Sequence, residues 1–269
     1  MKLGFIGCGN MGGAILGGII KSGFEKADNI TVYDAFLPQS EKIREKYGVS
    51  ISENEECAAK CDVLFLCVKP NVLGAVADKI KTSLSDKTLV VSIAAGVKTD
   101  MLCQMLGDDK KLVRIMPNIP VAYGEGMSAV SFGKNVSENE KKYVLDAFSS
   151  FGSAEEVDEK LMDTVTAVSG SSPAMIFMLI EAMADSAVQG GMTRKKAYVF
   201  AAQTVLGSAK MALDSLNEGI YPAELKDMVC SPGGTTIDAV ASLEKTGFRG
   251  SIIESLKVCR EKSEAMSKR

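Results

Sequence analysis

Histidine is absent from all 269 residues, and that absence removes a large share of enzyme chemistry. A Ser-His-Asp triad, a Cys-His pair and a hydride transfer assisted by imidazole all require it. Any catalysis must use Lys, Tyr, Thr, Ser, a carboxylate or the backbone. Basic blocks are missing too: 31 Lys and Arg face 34 Asp and Glu, for a formal net charge of −3. Nucleic acid is therefore not an expected partner. No apolar run approaches the roughly 18 residues that cross a bilayer, so no membrane association is expected. The opening Lys2-Leu3-Gly4-Phe5-Ile6 has the look of a signal peptide. Gly7, Gly9 and Asn10 break it at once, so it reads as a first strand.

Cysteines number seven (Cys8, Cys57, Cys61, Cys67, Cys103, Cys230 and Cys259) without a ladder of spacings. An odd count with no secretion signal points to reduced thiols in a cytoplasmic protein. Cys57 and Cys61 lie four apart on an expected helix. With no histidine and no second pair nearby, no metal site is expected. Cys230 reads as a packed small residue rather than a reactive thiol. Hydrophobic residues at 46% and charged residues at 24% suit a globular chain that can bury a core.

The first half alternates strand-like runs (2–6, 30–33, 63–68, 88–93, 112–116 and 127–132) with helical periods such as Val72, Leu73, Val76, Ala77 and Ile80. Ser52 with Glu55, and Ser137 with Glu140, have the spacing of a helix-starting capping box. Such alternation predicts an α/β fold with a mostly parallel, doubly wound sheet. Near Val157 the strands stop. The remainder is helical, with breaks expected at 169–173, 190–193, 219–222 and 231–236. Domains are therefore expected at 1–159 and 160–269. The helix from Pro173 is apolar nearly all round, so it must be covered on every side. A domain of about 110 residues offers few such places, which points to burial between two subunits.

Gly7, Gly9 and Gly12 form a G-x-G-x-x-G turn within Ile6-Gly7-Cys8-Gly9-Asn10-Met11-Gly12. The pattern follows a strand, opens a helix reaching about Ser22 and precedes a second strand ending at Asp34. That is the dinucleotide-binding context: a tight turn, a close pyrophosphate approach and helix–strand packing. A carboxylate at Asp34 would accept the ribose hydroxyls and repel a 2′-phosphate, and no arginine follows before Arg44. NADH is thus favoured over NADPH. Val68-Lys69-Pro70 and Ile93-Ala94-Ala95 end two further strands at the same crevice. Lys69 reads equally as a cofactor contact or a solvated turn lysine. The small Ala94 and Ala95 would admit a flat nicotinamide.

Ser231-Pro232-Gly233-Gly234-Thr235-Thr236 is a second glycine-rich turn that runs straight into an apolar-periodic helix. Its backbone N–H groups, with the helix dipole, suit a carboxylate or phosphate. From these residues alone, a plain turn with a threonine N-cap explains the pattern as well.

The chain resembles the Δ1-pyrroline-5-carboxylate reductases, the last enzymes of proline synthesis, over essentially its whole length. Matching stretches include 4–12, 63–70, 92–97, 114–121, 163–173, 181–191 and 225–236, with Met116-Pro117-Asn118 inside the fourth. The resemblance implies a Rossmann domain followed by an all-helical domain that interlocks with a partner's copy. It implies a homodimer, with a larger ring of dimers as a further assembly. The active site is implied where the 231–236 loop faces the nicotinamide, close to the dimer interface. By position, Thr236 resembles the hydroxyl that contacts the ring nitrogen, with Ser231, Gly233, Gly234 and Thr235 beside it. Glu159 matches a substrate-side carboxylate and Asn54 a cofactor contact. Ser172 stands where the family commonly has glycine, and Met228 where some members place a polar cofactor contact. Many members use NADPH, which the reading of Asp34 opposes. Two alternatives are a β-hydroxyacid-dehydrogenase-like oxidoreductase and a non-catalytic dinucleotide-binding redox sensor. The first depends on a lysine early in the second domain, and none occurs between Lys160 and Lys195. The intact 231–236 loop argues against the second.

Overall fold

The computed structural model describes residues 1–267. Eight strands form one sheet in the order β3-β2-β1-β4-β5-β6-β7-β8. Strand β1 (Leu3–Ile6) leads through helix α1 (Asn10–Lys21) to β2 (Ile30–Tyr33), and α2 (Leu37–Tyr47) leads to β3 (Ser50–Ile51). Helix α3 (Glu55–Ala58) precedes β4 (Val63–Leu66), and α4 (Pro70–Ile80) crosses to β5 (Leu89–Ser92). Helix α5 (Thr99–Leu106) crosses to β6 (Lys111–Met116), followed by β7 (Gly126–Phe132), α6 (Glu138–Ser149) and β8 (Gly152–Glu156). All pairings are parallel except β6 with β7.

Strands β1, β4 and β5 are buried along their whole length. Their unbroken apolar runs reflect a sheet covered on both faces. One face packs Phe5, Ile15, Leu16, Ile19, Phe65 and Phe148, with Phe5 and Phe65 stacked at 4.4 Å between ring centroids. The other packs Leu64, Leu73, Ile80, Val90 and Leu102. Each such side chain contributes roughly 1.5–3 kcal/mol by leaving water.

The expected strands are all present, and they end at Glu156 as anticipated near Val157. Two strands escaped the sequence reading. β3 has two residues, and β8, Gly-Ser-Ala-Glu-Glu, is a polar edge without apolar alternation. Ser137 and Glu140 do meet at the start of α6, the Ser137 N–H donating to Glu140 Oε2 at 2.9 Å. Ser52 is not a cap. Helix α3 starts later, with Asn54 as N-cap accepting from the Cys57 N–H at 2.8 Å. The short α3 also leaves Cys61 outside the helix that was expected to carry both Cys57 and Cys61.

The rest is helical: α7 (Met162–Val165), α8 (Ser172–Gln189), α9 (Arg194–Leu216), α10 (Pro222–Val229), α11 (Thr235–Lys245) and α12 (Phe248–Met266). The break expected at 169–173 is instead a π-helical turn, Thr166–Ser171, between α7 and α8. The resulting stretch Glu159–Gln189 is the one helix among the described residues that is long and apolar enough, by length and composition, to cross a bilayer. The search for unbroken apolar runs missed it because Asp163, Glu181 and Asp185 interrupt the stretch.

Two compact units result, Met1–Ser171 with the residues from Cys259 onward, and Ser172–Val258. This packing division falls later than the expected 159/160 boundary. In the first unit, Asp163 Oδ1 accepts hydrogen bonds from Ser263 Oγ at 2.6 Å and Ser267 Oγ at 3.3 Å. Cys259 Sγ lies 3.1 Å from Ser171 Oγ. These contacts hold the end of α12 to the segment that follows β8. The second unit has little core of its own. Ala184, Ala197 and Ala201 are its buried apolar centre between α8 and α9, while Phe177 is 60% and Met178 69% exposed.

Candidate active site

The glycine turn has three different glycines for three physical reasons. Gly7 has φ +97°, and a Cβ there would lie 2.6 Å from the Cys67 carbonyl oxygen. At Gly12 a Cβ would lie 2.3 Å from Gly7 O and 2.9 Å from Cys67 Cβ, so α1 and β4 could not pack as closely. A Cβ at Gly9 would meet nothing within 4 Å. The side of Gly9 is therefore open. Gly9 is also the N-cap of α1 and supplies no side-chain acceptor. The first turn of α1 thus starts without a side-chain cap, and an uncapped helix start with its dipole suits a pyrophosphate.

Ile6 ends β1 in the core, and the Gly7 N–H donates to Tyr33 O at 2.8 Å. Asp34 follows at the end of β2. Its Oδ2 accepts from the Cys8 N–H at 2.7 Å and its Oδ1 from the Phe36 N–H at 2.9 Å. Gln39 Nε2 donates to Cys8 O at 2.5 Å. Both polar groups of the Cys8 peptide are thus held by the chain segment that would flank the adenosine ribose. Burial, with the nearby Asp34 charge, pushes the Cys8 thiol up to about 12, so this cysteine is a packed thiol and not a nucleophile.

Strand order reverses between β1 and β4, and ligands of such sheets bind outside the carboxyl ends of the strands there. A cavity of about 220 Å³ lies at those ends, lined by Met11, Cys67, Val68, Lys69, Pro70, Ile93, Ala94, Ala95, Met116 and Pro117. It unites seven of the residues expected from the sequence. Met116 and Pro117 had been matched as part of a stretch but given no role, and Gln39 carried no sequence signal. Asn54 caps α3, its Oδ1 held by the Cys57 N–H.

Glu159 sits in the first unit and holds three donors. Its Oε1 accepts from the Thr99 N–H at 2.8 Å and from Arg114 Nη1 at 3.2 Å, and its Oε2 from Thr99 Oγ1 at 2.5 Å. The resemblance implies a substrate-side contact for Glu159, and the donors it holds here, Thr99 and Arg114, belong to the same unit.

In the second unit, the loop before α11 turns through Gly233 at φ +67°, with the Gly234 N–H bonded to Ser231 O at 3.0 Å. The N-cap is Gly234, not a threonine, and no side chain caps the helix. Thr235 and Thr236 are the first two residues of α11, so the reading of a threonine cap is set aside. A Cβ at Gly234 would fall 2.5 Å from Ser231 Oγ. The turn therefore leaves the first-turn N–H groups open beside two hydroxyls.

A switch-point crevice, a glycine turn without a side-chain cap and a carboxylate at the end of β2 define a dinucleotide-binding oxidoreductase. The family model for pyrroline-5-carboxylate reductase dimerisation matches residues 159–266. That for NADP oxidoreductase, coenzyme F420-dependent, matches residues 2–96. The chain is 49% identical to the pyrroline-5-carboxylate reductase of Escherichia coli strain K12 over 99% of this chain and 98% of that one. It is 44% identical to the pyrroline-5-carboxylate reductase of Methanosarcina acetivorans over 100% of this chain and 98% of that one. The crystal structure of Plasmodium falciparum pyrroline carboxylate reductase with NADP bound is similar at a TM-score of 0.89 and 35% identity, covering 99% of this chain and 98% of that chain. The chain belongs to the pyrroline-5-carboxylate reductase family. The dimerisation match spans α8 and α9, whose apolar faces are exposed in the single chain.

Proposed function

We propose how this chain carries out its family's reaction, the reduction of Δ1-pyrroline-5-carboxylate to L-proline in proline biosynthesis. The substrate is a cyclic imine that bears a carboxylate. Protonation of its ring nitrogen leaves the adjacent carbon electron-poor and ready for hydride. The dinucleotide, when bound along the Gly7–Gly12 turn and the crevice at Ala94 and Ala95, supplies that hydride. The C=N double bond becomes a C–N single bond, and its electron pair returns to nitrogen. The N–H groups of residues 231–236 hold the carboxylate, and Thr236 Oγ1 fixes the ring nitrogen. Orientation of two reactants is most of the task, an effect that can contribute roughly 7–11 kcal/mol. Histidine is not required.

The observation that carries this reading is the bare start of α11. Gly234 supplies no side chain to cap it, so the helix has unsatisfied N–H groups for an anion. NADH is the favoured reductant and NADPH the poorer one. Each oxygen of Asp34 holds one backbone N–H and keeps a lone pair for a ribose hydroxyl, whereas a 2′-phosphate would meet the same negative charge. The relative from Plasmodium falciparum has NADP bound, and the preference proposed for this chain rests on Asp34 alone. The functional domains divide at 159/160, a reading supported by a dimerisation match that starts at residue 159. The working unit is a homodimer, on which a ring of dimers can be built. It acts in the cytoplasm, where seven free thiols remain reduced.

Oxidation of NADH and NADPH in the presence of Δ1-pyrroline-5-carboxylate tests this directly. Turnover with kcat/KM higher for NADH is expected. Asp34→Ser should move the ratio toward NADPH by about tenfold or more, equivalent to about 1.4 kcal/mol. A chain that binds dinucleotide but does not reduce the imine would overturn the mechanism. A wild type that strongly prefers NADPH would overturn the role given to Asp34.

A further inference from the structure

We propose that Arg114, Glu159 and Thr99 form a clasp that positions the nicotinamide-side loop, so that Glu159 governs hydride transfer without touching the substrate. The inference rests on the reading of the crevice given above. The loop concerned, residues 93–98, leaves β5 after Ser92 and enters α5 at Thr99. It carries Ala94 and Ala95, which line the crevice.

Arg114 holds both ends of this loop. Its backbone lies opposite Ser92 in the β5–β6 pairing, at the point where the loop departs. Its side chain, only 6% exposed, pairs with Glu159 Oε1 at 3.2 Å. Glu159 in turn receives the N–H and the hydroxyl of Thr99, at 2.8 and 2.5 Å, where the loop ends. Lys98 at the N-cap of α5 makes no side-chain cap, so the Glu159 carboxylate performs that task from elsewhere in the chain. Its negative charge at a helix start is favourable. Inside the loop, the Ala94 N–H donates to Ser92 Oγ at 3.3 Å and the Val97 N–H to Ala94 O at 3.3 Å.

Pulling the carboxylate away from this set would strand a buried guanidinium and an amide, each costly to leave unpaired, so it stays with Thr99 and Arg114. The substrate's own carboxylate would also be repelled by a second one. The engaged geometry therefore assigns Glu159 to the loop.

The test compares the wild type with Thr99→Val, Thr99→Ser and Glu159→Gln. Thr99→Val is nearly isosteric and removes only the hydroxyl donor, and Thr99→Ser retains both donors. Thr99→Val and Glu159→Gln should lower kcat about 10- to 100-fold, the scale of a misplaced reactant. The KM for the imine should hardly move, and the isotope effect with 4-deuterated NADH should rise as hydride transfer becomes limiting. Thr99→Ser should recover the rate. Backbone hydrogen exchange across residues 93–99 should quicken in Thr99→Val and Glu159→Gln. A Glu159→Gln variant with raised imine KM, alongside a Thr99→Val variant that behaves as wild type, would place Glu159 on the substrate and overturn the clasp. Unchanged exchange in Thr99→Val would overturn it as well, and that readout decides even if Glu159→Gln does not fold. Exchange also stands apart from turnover, so a wild type that fails to reduce the imine would strike the proposed function and not the clasp.

Discussion

Thr235 and Thr236 are adjacent residues of the same type, yet the start of α11 gives them different prospects. Gly234 is the N-cap, so neither hydroxyl is needed to begin the helix. Removing either should leave the fold intact, and any loss of activity then reports chemistry. Thr236→Ala should lower kcat/KM for the imine by about 10- to 1,000-fold, the range for one positioned hydrogen-bond partner. Dinucleotide affinity should hardly change, because the glycine turn lies in the other unit. Thr235→Ala should be milder. Gly234→Val should act mainly through KM, because a Cβ there would fall 2.5 Å from Ser231 Oγ and distort the turn. Steady-state kinetics of the three variants, beside circular dichroism for the helix, would check this. A Thr236→Ala variant with wild-type turnover would take the ring nitrogen away from Thr236.

Helix α1 and its turn show how an element converts spacing into a binding site. Two glycines three residues apart, Gly9 and Gly12, sit in different surroundings. Gly12 admits β4 against the helix, and a Cβ would press on the Gly7 carbonyl oxygen at 2.3 Å. Gly9 leaves its side open, because a Cβ would meet no protein atom within 4 Å, and the proposed pyrophosphate contact lies there. Gly12→Ala should therefore destabilise the protein, by about 1–3 kcal/mol as overpacking commonly does. Gly9→Ala should keep its melting temperature and lose dinucleotide affinity. Denaturant unfolding and cofactor titration separate the two, and equal stability losses in both variants would refute the division. The same scale explains where the sequence reading faltered. Strand β8 is held by its pairing from Gly126↔Gly152 to Val130↔Glu156, and that backbone ladder leaves no apolar signature in Gly-Ser-Ala-Glu-Glu.

For the molecule as a whole, α8 is the element on which the expected assembly rests. Its apolar circumference was legible in the sequence, and its exposure was not. In a single chain only Ala184 of this helix is fully buried, with Ile180 and Met183 packed partly against the α9 alanines. Met178→Asp should therefore leave the monomer folded and block dimerisation, whereas Ile180→Asp should disturb the α8–α9 pair itself, since an unpaired buried charge costs several kcal/mol. Sedimentation at micromolar concentration should show the wild type as a dimer or a multiple of it and Met178→Asp as smaller. A stable, active wild-type monomer would refute the interlocked assembly.

The sequence by itself determined the doubly wound sheet, the glycine turn after β1, the second glycine-rich turn before a helix and the apolar helix that a dimerisation domain carries. Each of these is written in local spacing: alternation, G-x-G-x-x-G, Gly-Gly before a helix, and an apolar surface nearly all round one helix. Tertiary structure alone decided which partners the carboxylates hold within the protein. Asp34 proved to hold Cys8 and Phe36, and Glu159 proved to hold Thr99 and Arg114 across 60 and 45 residues of chain. A carboxylate's partners lie wherever the fold brings donors, and donors so distant in the chain leave no pattern in the residues around it.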